Sequence, residues 1–115
     1  MSGVPFKLQD TQATGNGNIL AIPTSFTIHS FMVTAAAGVT SGSVTIETTD
    51  DPTDTGTWAA IVPDKSIANP LTVAVADLLI PYTGRLNCVR ARISTTIAGG
   101  GAPSVTVTYL GAKGY

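Results

Sequence analysis

The sequence predicts an all-β, single-domain antiparallel β-sandwich with jelly-roll or immunoglobulin-like connectivity and about seven or eight short strands. Three observations predict it. Segment after segment alternates apolar and polar residues, Gly, Pro, Asn and Asp interrupt the chain at regular intervals, and no stretch keeps a 3.6-residue apolar period. With 115 residues, one core can bury roughly two-thirds of the unfolded surface.

Residues 1–18 read as an N-terminal arm ahead of a sandwich domain over 19–115. Val4, Phe6 and Leu8 alternate, which suits an edge strand or a segment docked on a neighbouring subunit, and Thr14-Gly15-Asn16-Gly17-Asn18 marks a turn. Phe26 to Thr34 is β-rich, but its apolar phase slips between Ile28 and Phe31, as a bulge or burial on both faces would cause. Ser43 to Thr49 is the cleanest strand. Val44 and Ile46 point one way, and Thr45, Glu47 and Thr49 point to a face expected to be wet. Asp50-Asp51-Pro52 ends it, since proline has no ladder donor and aspartate favours turns.

Thr57 to Val62 resumes with Trp58, and Leu71, Val73 and Val75 alternate after Asn69-Pro70, with a turn of helix expected around Ala76-Asp77-Leu78. Arg85 to Ser94 and Ser104 to Leu110 complete the set. The second places Val105, Val107 and Tyr109 on one face, and the Gly-rich run 98–103 between the two reads as a flexible, hairpin-like connection.

Charge narrows the function. Only 11% of residues are charged, with a net charge of -1, so the surface lacks the like-signed charge that keeps free monomers apart. Much of it is expected to be covered by other protein. No basic footprint exists for phosphate tracking, so nucleic acid is not an expected partner. Cys88 is the sole cysteine and excludes an internal disulfide. Met1 to Leu20 shows neither signal nor transit features, which predicts cytoplasmic synthesis. The most apolar window, Leu71 to Tyr82, is interrupted by Asp77 and Pro81, so no membrane span is expected.

No catalytic, cofactor or metal site is predicted. Asp50, Asp51, Asp54 and Asp64 lack the spacing of a calcium loop. His29, the only histidine, has no nucleophile or acid positioned by the sequence and is expected to face water or bond locally. Gly99-Gly100-Gly101 leads into a strand rather than a phosphate-binding helix. Trp58 reads as a core plug, not as part of a sugar platform, because the few aromatics are spread along the chain. Arg90 and Arg92 share a strand face with Leu86 and Cys88, while Val89, Ala91 and Ile93 face the core. The Asp50, Asp51 and Asp54 turn is their expected acidic partner, within the subunit or across a contact.

The runs Val44-Thr45-Ile46-Glu47-Thr48-Thr49-Asp50-Asp51-Pro52, Thr57-Trp58-Ala59-Ala60-Ile61, Asn87-Cys88-Val89-Arg90-Ala91-Arg92-Ile93-Ser94 and Ser104-Val105-Thr106-Val107-Thr108-Tyr109-Leu110 resemble small virion proteins of tailed bacteriophages. The likeness is greatest to capsid decoration or cement proteins. It implies a structural protein on the capsid surface, made in a bacterial cytoplasm, that binds the major capsid protein and forms a dimer or trimer. Expected contact residues are Phe6 and Leu8 of the arm, with Arg90, Arg92, Asp50, Asp51 and Asp54. A tail, baseplate or fibre subunit would share this pattern, and a carbohydrate or host-surface binding module is a third reading.

Overall fold

The computed structural model describes residues 5–50, 57–64, 68–73 and 78–113. Among them are nine strands and no helix: β1 (Phe6–Gln12), β2 (Leu20–Ala21), β3 (Phe26–Ala35), β4 (Val39–Thr49), β5 (Ala59–Ala60), β6 (Leu71–Thr72), β7 (Leu78–Thr83), β8 (Cys88–Gly99) and β9 (Val105–Lys113). Three of these are two-residue pairings, which alternation within a sequence cannot reveal. They lie in two antiparallel sheets, ordered β1-β9-β3-β7 and β2-β8-β4-β5, with β6 also paired to β4. The β-sandwich is therefore as expected. The helical turn expected at Ala76-Asp77 lies outside the described residues, and Leu78 starts a strand.

The core is built by alternation. Leu8, Phe31, Val33, Ile80, Val107 and Tyr109 point inward from the first sheet, and Val44, Ile46, Val89, Ala91 and Ile93 from the second. β3 keeps a strict two-residue rhythm once His29 is counted with Phe31 and Val33 as buried. The phase slip at Ile28 therefore comes mainly from a histidine in the core and an isoleucine outside it. The pairing with β9 does shift register between Phe26 and Ile28.

The glycine-rich run after β8 is not a hairpin, because β8 and β9 belong to different sheets. It crosses the sandwich beside the β3–β4 crossing, and Gly100 N–H donates to Gly38 C=O at 3.0 Å. Gly99 has φ 153°, and a Cβ there would collide with the Gly38 carbonyl. Close passage of two backbones, rather than a tight turn, accounts for glycine here.

The N-terminal segment closes one side of the sandwich. β1 pairs with β9 on the first sheet. The chain then crosses to the second, where Ala13 and Gly15 carbonyls accept from Ile97 and Ile93 N–H of β8. Buried Gln9 ties the crossing together, its Nε2 donating to Gly15 C=O at 3.0 Å and Ala91 C=O at 2.7 Å.

On the opposite side, β5 and β6 leave a gap along β4 at Ile46, and the side chain of Asn69 fills it. Its Oδ1 accepts from Ile46 N–H at 3.0 Å, and its Nδ2 donates to the carbonyls of Ile46 at 3.0 Å and Ile61 at 2.8 Å. Asn69→Ala strands a strand amide and is expected to cost about 1–3 kcal/mol in urea unfolding. Asn69→Asp should cost more, since it aims a carboxylate oxygen at two carbonyls. Equal stability of both variants with the parent would show that water replaces the amide.

Candidate interaction surfaces

The outer face of β4 and β8 is a closed polar network. Glu47 accepts from Arg90 Nε at 2.9 Å through one carboxylate oxygen and from Arg92 Nε at 3.1 Å through the other. Glu47 and Arg90 are adjacent across the strands, as the register dictates. The Arg90 guanidinium also lies 4.2 Å from the centre of the Trp58 ring, a cation–π arrangement. Thr45 donates to Ser94 Oγ at 3.0 Å.

Two expectations are corrected by this network, and a third is answered for Asp50 alone. The polar face of β4 is not wet, because Thr45, Glu47 and Thr49 are all buried. The arginines pair with Glu47 on the adjoining strand, whose carboxylate already stands between them, and Asp50 instead accepts from Asn87 Nδ2 at 2.8 Å. Asp51 and Asp54 lie outside the described residues. Trp58 is half-buried against Arg90 and is not a core plug.

The arm residues part company. Leu8 is fully buried and belongs to the core, so its side chain is not a contact residue. Phe6 lies at the rim, lining with Pro5, Leu20, Pro23, Phe26 and Tyr109 an apolar cleft of about 330 Å³.

His29 is 1% exposed and does not face water. Its Nδ1 lies 2.6 Å from Tyr109 Oη and its Nε2 2.7 Å from the Gly84 carbonyl. These bonds join positions far apart in sequence, so no local pattern could announce them. Burial holds the imidazole below its ordinary pKa, opposed by the bond to Gly84. Burial also pushes the Tyr109 phenol up to about 12.

Sequence reasoning missed the outer face of the first sheet. Ile28, Met32 and Leu79 are 48%, 40% and 46% exposed, and Met32 sits directly beside Leu79 in register. Half-buried Leu110, Pro81, Ser30 and Ala112 adjoin them. Thr34, Thr106, Thr108 and Thr83 complete this face, and among the described residues it carries no charge short of Lys113, the last residue of β9. Charge begins at the margins, with the Lys7–Asp10 pair on β1 and Asp64 bound to Thr83 beyond β7. The slip at Ile28 was the available signal. Compared with family models, characterised proteins and solved structures, the chain gives no match in any of the three.

Proposed function

We propose that the chain is a non-enzymatic structural protein of a virion, a capsid decoration or cement protein that binds the major capsid protein at the outer shell and stabilises the joints between capsomers. The observation that carries this reading is the uncharged outer face of β9, β3 and β7, where exposed Ile28, Met32 and Leu79 stand among threonines between the Lys7 and Asp64 margins. An apolar centre with a charged rim is the anatomy of a protein contact. Among the described residues, both ring nitrogens of His29 and both carboxylate oxygens of Glu47 already have partners. A protein that binds the assembled shell stabilises it by mass action and needs no reactive group. Self-association into a dimer or trimer belongs to the same reading, which also draws on the likeness to bacteriophage virion proteins.

Copy number in purified particles tests it. Stoichiometry equal to the major shell protein, or a fixed fraction of it, is the expected result. A Met32→Glu/Leu79→Glu variant should fold normally, because both side chains are exposed, yet bind shells at least about tenfold more weakly, equivalent to ~1.4 kcal/mol. A few copies per particle would instead place the chain in the tail. A concentrated monomer with no affinity for any shell would end the proposal.

A further inference from the structure

The imidazole of His29 ties three separate parts of the fold together: β3, on which it sits, Tyr109 of β9, and the Gly84 turn after β7. A carbonyl oxygen only accepts, so Nε2 carries the hydrogen that reaches Gly84. In the neutral ring Nδ1 is then the acceptor, and the Tyr109 hydroxyl donates to it. Gly111, opposite His29 in register, makes room for this pairing, since a Cβ there would collide with Tyr109 Oη.

We propose that the His29–Tyr109–Gly84 junction is an acid-operated latch: with a neutral imidazole it clamps β3 to β9 and to the turn after β7, and protonation of Nδ1 releases the clamp. A proton on Nδ1 turns the acceptor into a donor. Tyr109 can stay bonded only by reversing its hydroxyl, and among the described residues its oxygen has no other hydrogen-bond partner, while the Phe26 ring and Tyr109 Oη both crowd the space beside Gly111. Among the described residues no carboxylate pairs with the imidazole, so the new charge is buried there without a counter-ion. β7 contributes the Tyr82 ring, 6.1 Å away, β9 contributes Tyr109, and the second sheet turns Val44, Ile46, Val89, Ala91 and Ile93 inward. Arg85 and Lys113, both exposed cations, flank this corner. Asp64 is occupied with Thr83 Oγ1 and, through its N–H, with Pro81 C=O on the exposed edge of β7.

The sign of the pH effect follows. The folded imidazole titrates below 6.5, the value expected once unfolded, so unfolding takes up a proton as pH falls. Stability is whole above about 6.5, declines as pH drops toward the lowered value and levels off beneath it. Within that window the unfolding equilibrium constant rises by up to about tenfold per pH unit. The His29→Gln variant separates the histidine's share of this dependence from that of the other groups. Because the Tyr109 ring also lines the cleft with Phe6 and Phe26, release of the latch loosens that wall and exposes aromatic surface.

The chain has one histidine, so ring-nitrogen NMR of the ¹⁵N-labelled protein reads the latch without ambiguity. Hydrogen on Nε2 and ring signals that stay unmoved through pH 6.5 are expected, alongside urea unfolding constants that are flat from pH 7.5 to about 6.5 and climb below it. His29→Gln keeps an amide donor and a carbonyl acceptor and should abolish that climb. If this variant fails to fold, the parent titration decides alone. Hydrogen on Nδ1, a midpoint at the ordinary value with β3 and β9 amide signals unchanged, or a flat unfolding constant would each overturn the latch.

Discussion

A chain shortened to begin at Ile19 is expected not to fold. The loss removes Leu8 from the core, and a buried leucine cut even to alanine costs about 2–5 kcal/mol. It also strips β1 from β9, frees the β8 amides of Ile93 and Ile97, and deletes the Gln9 amide that bridges to Ala91. Together these losses rival the roughly 5–15 kcal/mol that hold a domain of this kind together. They also leave two sheet edges open to pairing with other chains. Far-UV circular dichroism and analytical ultracentrifugation should show an aggregating or unfolded chain, with Leu8→Ala as a soluble intermediate case. A monomeric truncated protein that melts cooperatively within a few degrees of the parent would show that the segment is an appendage.

Replacing Glu47 by alanine should be the most damaging single change on the outer face of the second sheet. It leaves two arginines side by side, their side chains only 15% and 37% exposed, with no carboxylate between them. Removing one partner of a buried charge network costs about 3–5 kcal/mol, and the partial exposure of Arg92 lowers the expectation to about 2–4 kcal/mol. That corresponds to a melting temperature lower by roughly 10 °C or more for a chain of this size. Glu47→Gln, which still offers one acceptor, should lie between. Replacing both arginines by leucine in the Glu47→Ala background should recover part of the loss, because it removes the uncompensated charge. A loss below about 1 kcal/mol in thermal unfolding would mean that desolvation cancels the attraction.

The sandwich was legible because alternation is a property of neighbouring residues. Val44-Thr45-Ile46 and Val105-Thr106-Val107 declare their inward faces without reference to the rest of the chain. Which sheet each strand joins is set by distant partners, and this is why the run 98–103 looked like a hairpin while it crosses between layers. Side-chain chemistry was harder to read for the same reason. Glu47 and Arg90 lie 43 positions apart yet face each other across two strands, whereas the Asp50 turn was merely conspicuous. His29 misled in the opposite direction: a polar residue between Ile28 and Ser30 suggested exposure, and only the positions of Tyr109 and Gly84 make its burial affordable. Asn69 carries no signal at all in sequence, since its role is to stand in for a missing piece of strand.

The pairing of β1 with β9 has a consequence for biosynthesis. Thr11 on the first strand donates its N–H to Thr106 on the last, 95 positions later. At the roughly 5–20 residues per second of translation, the partner emerges from the ribosome about 5–20 s after the leading strand does. During that interval its ladder groups face solvent or a chaperone. Closure of the first sheet is therefore tied to synthesis of residues 105–113, and ribosomal pausing before residue 105 should raise the yield of insoluble polypeptide.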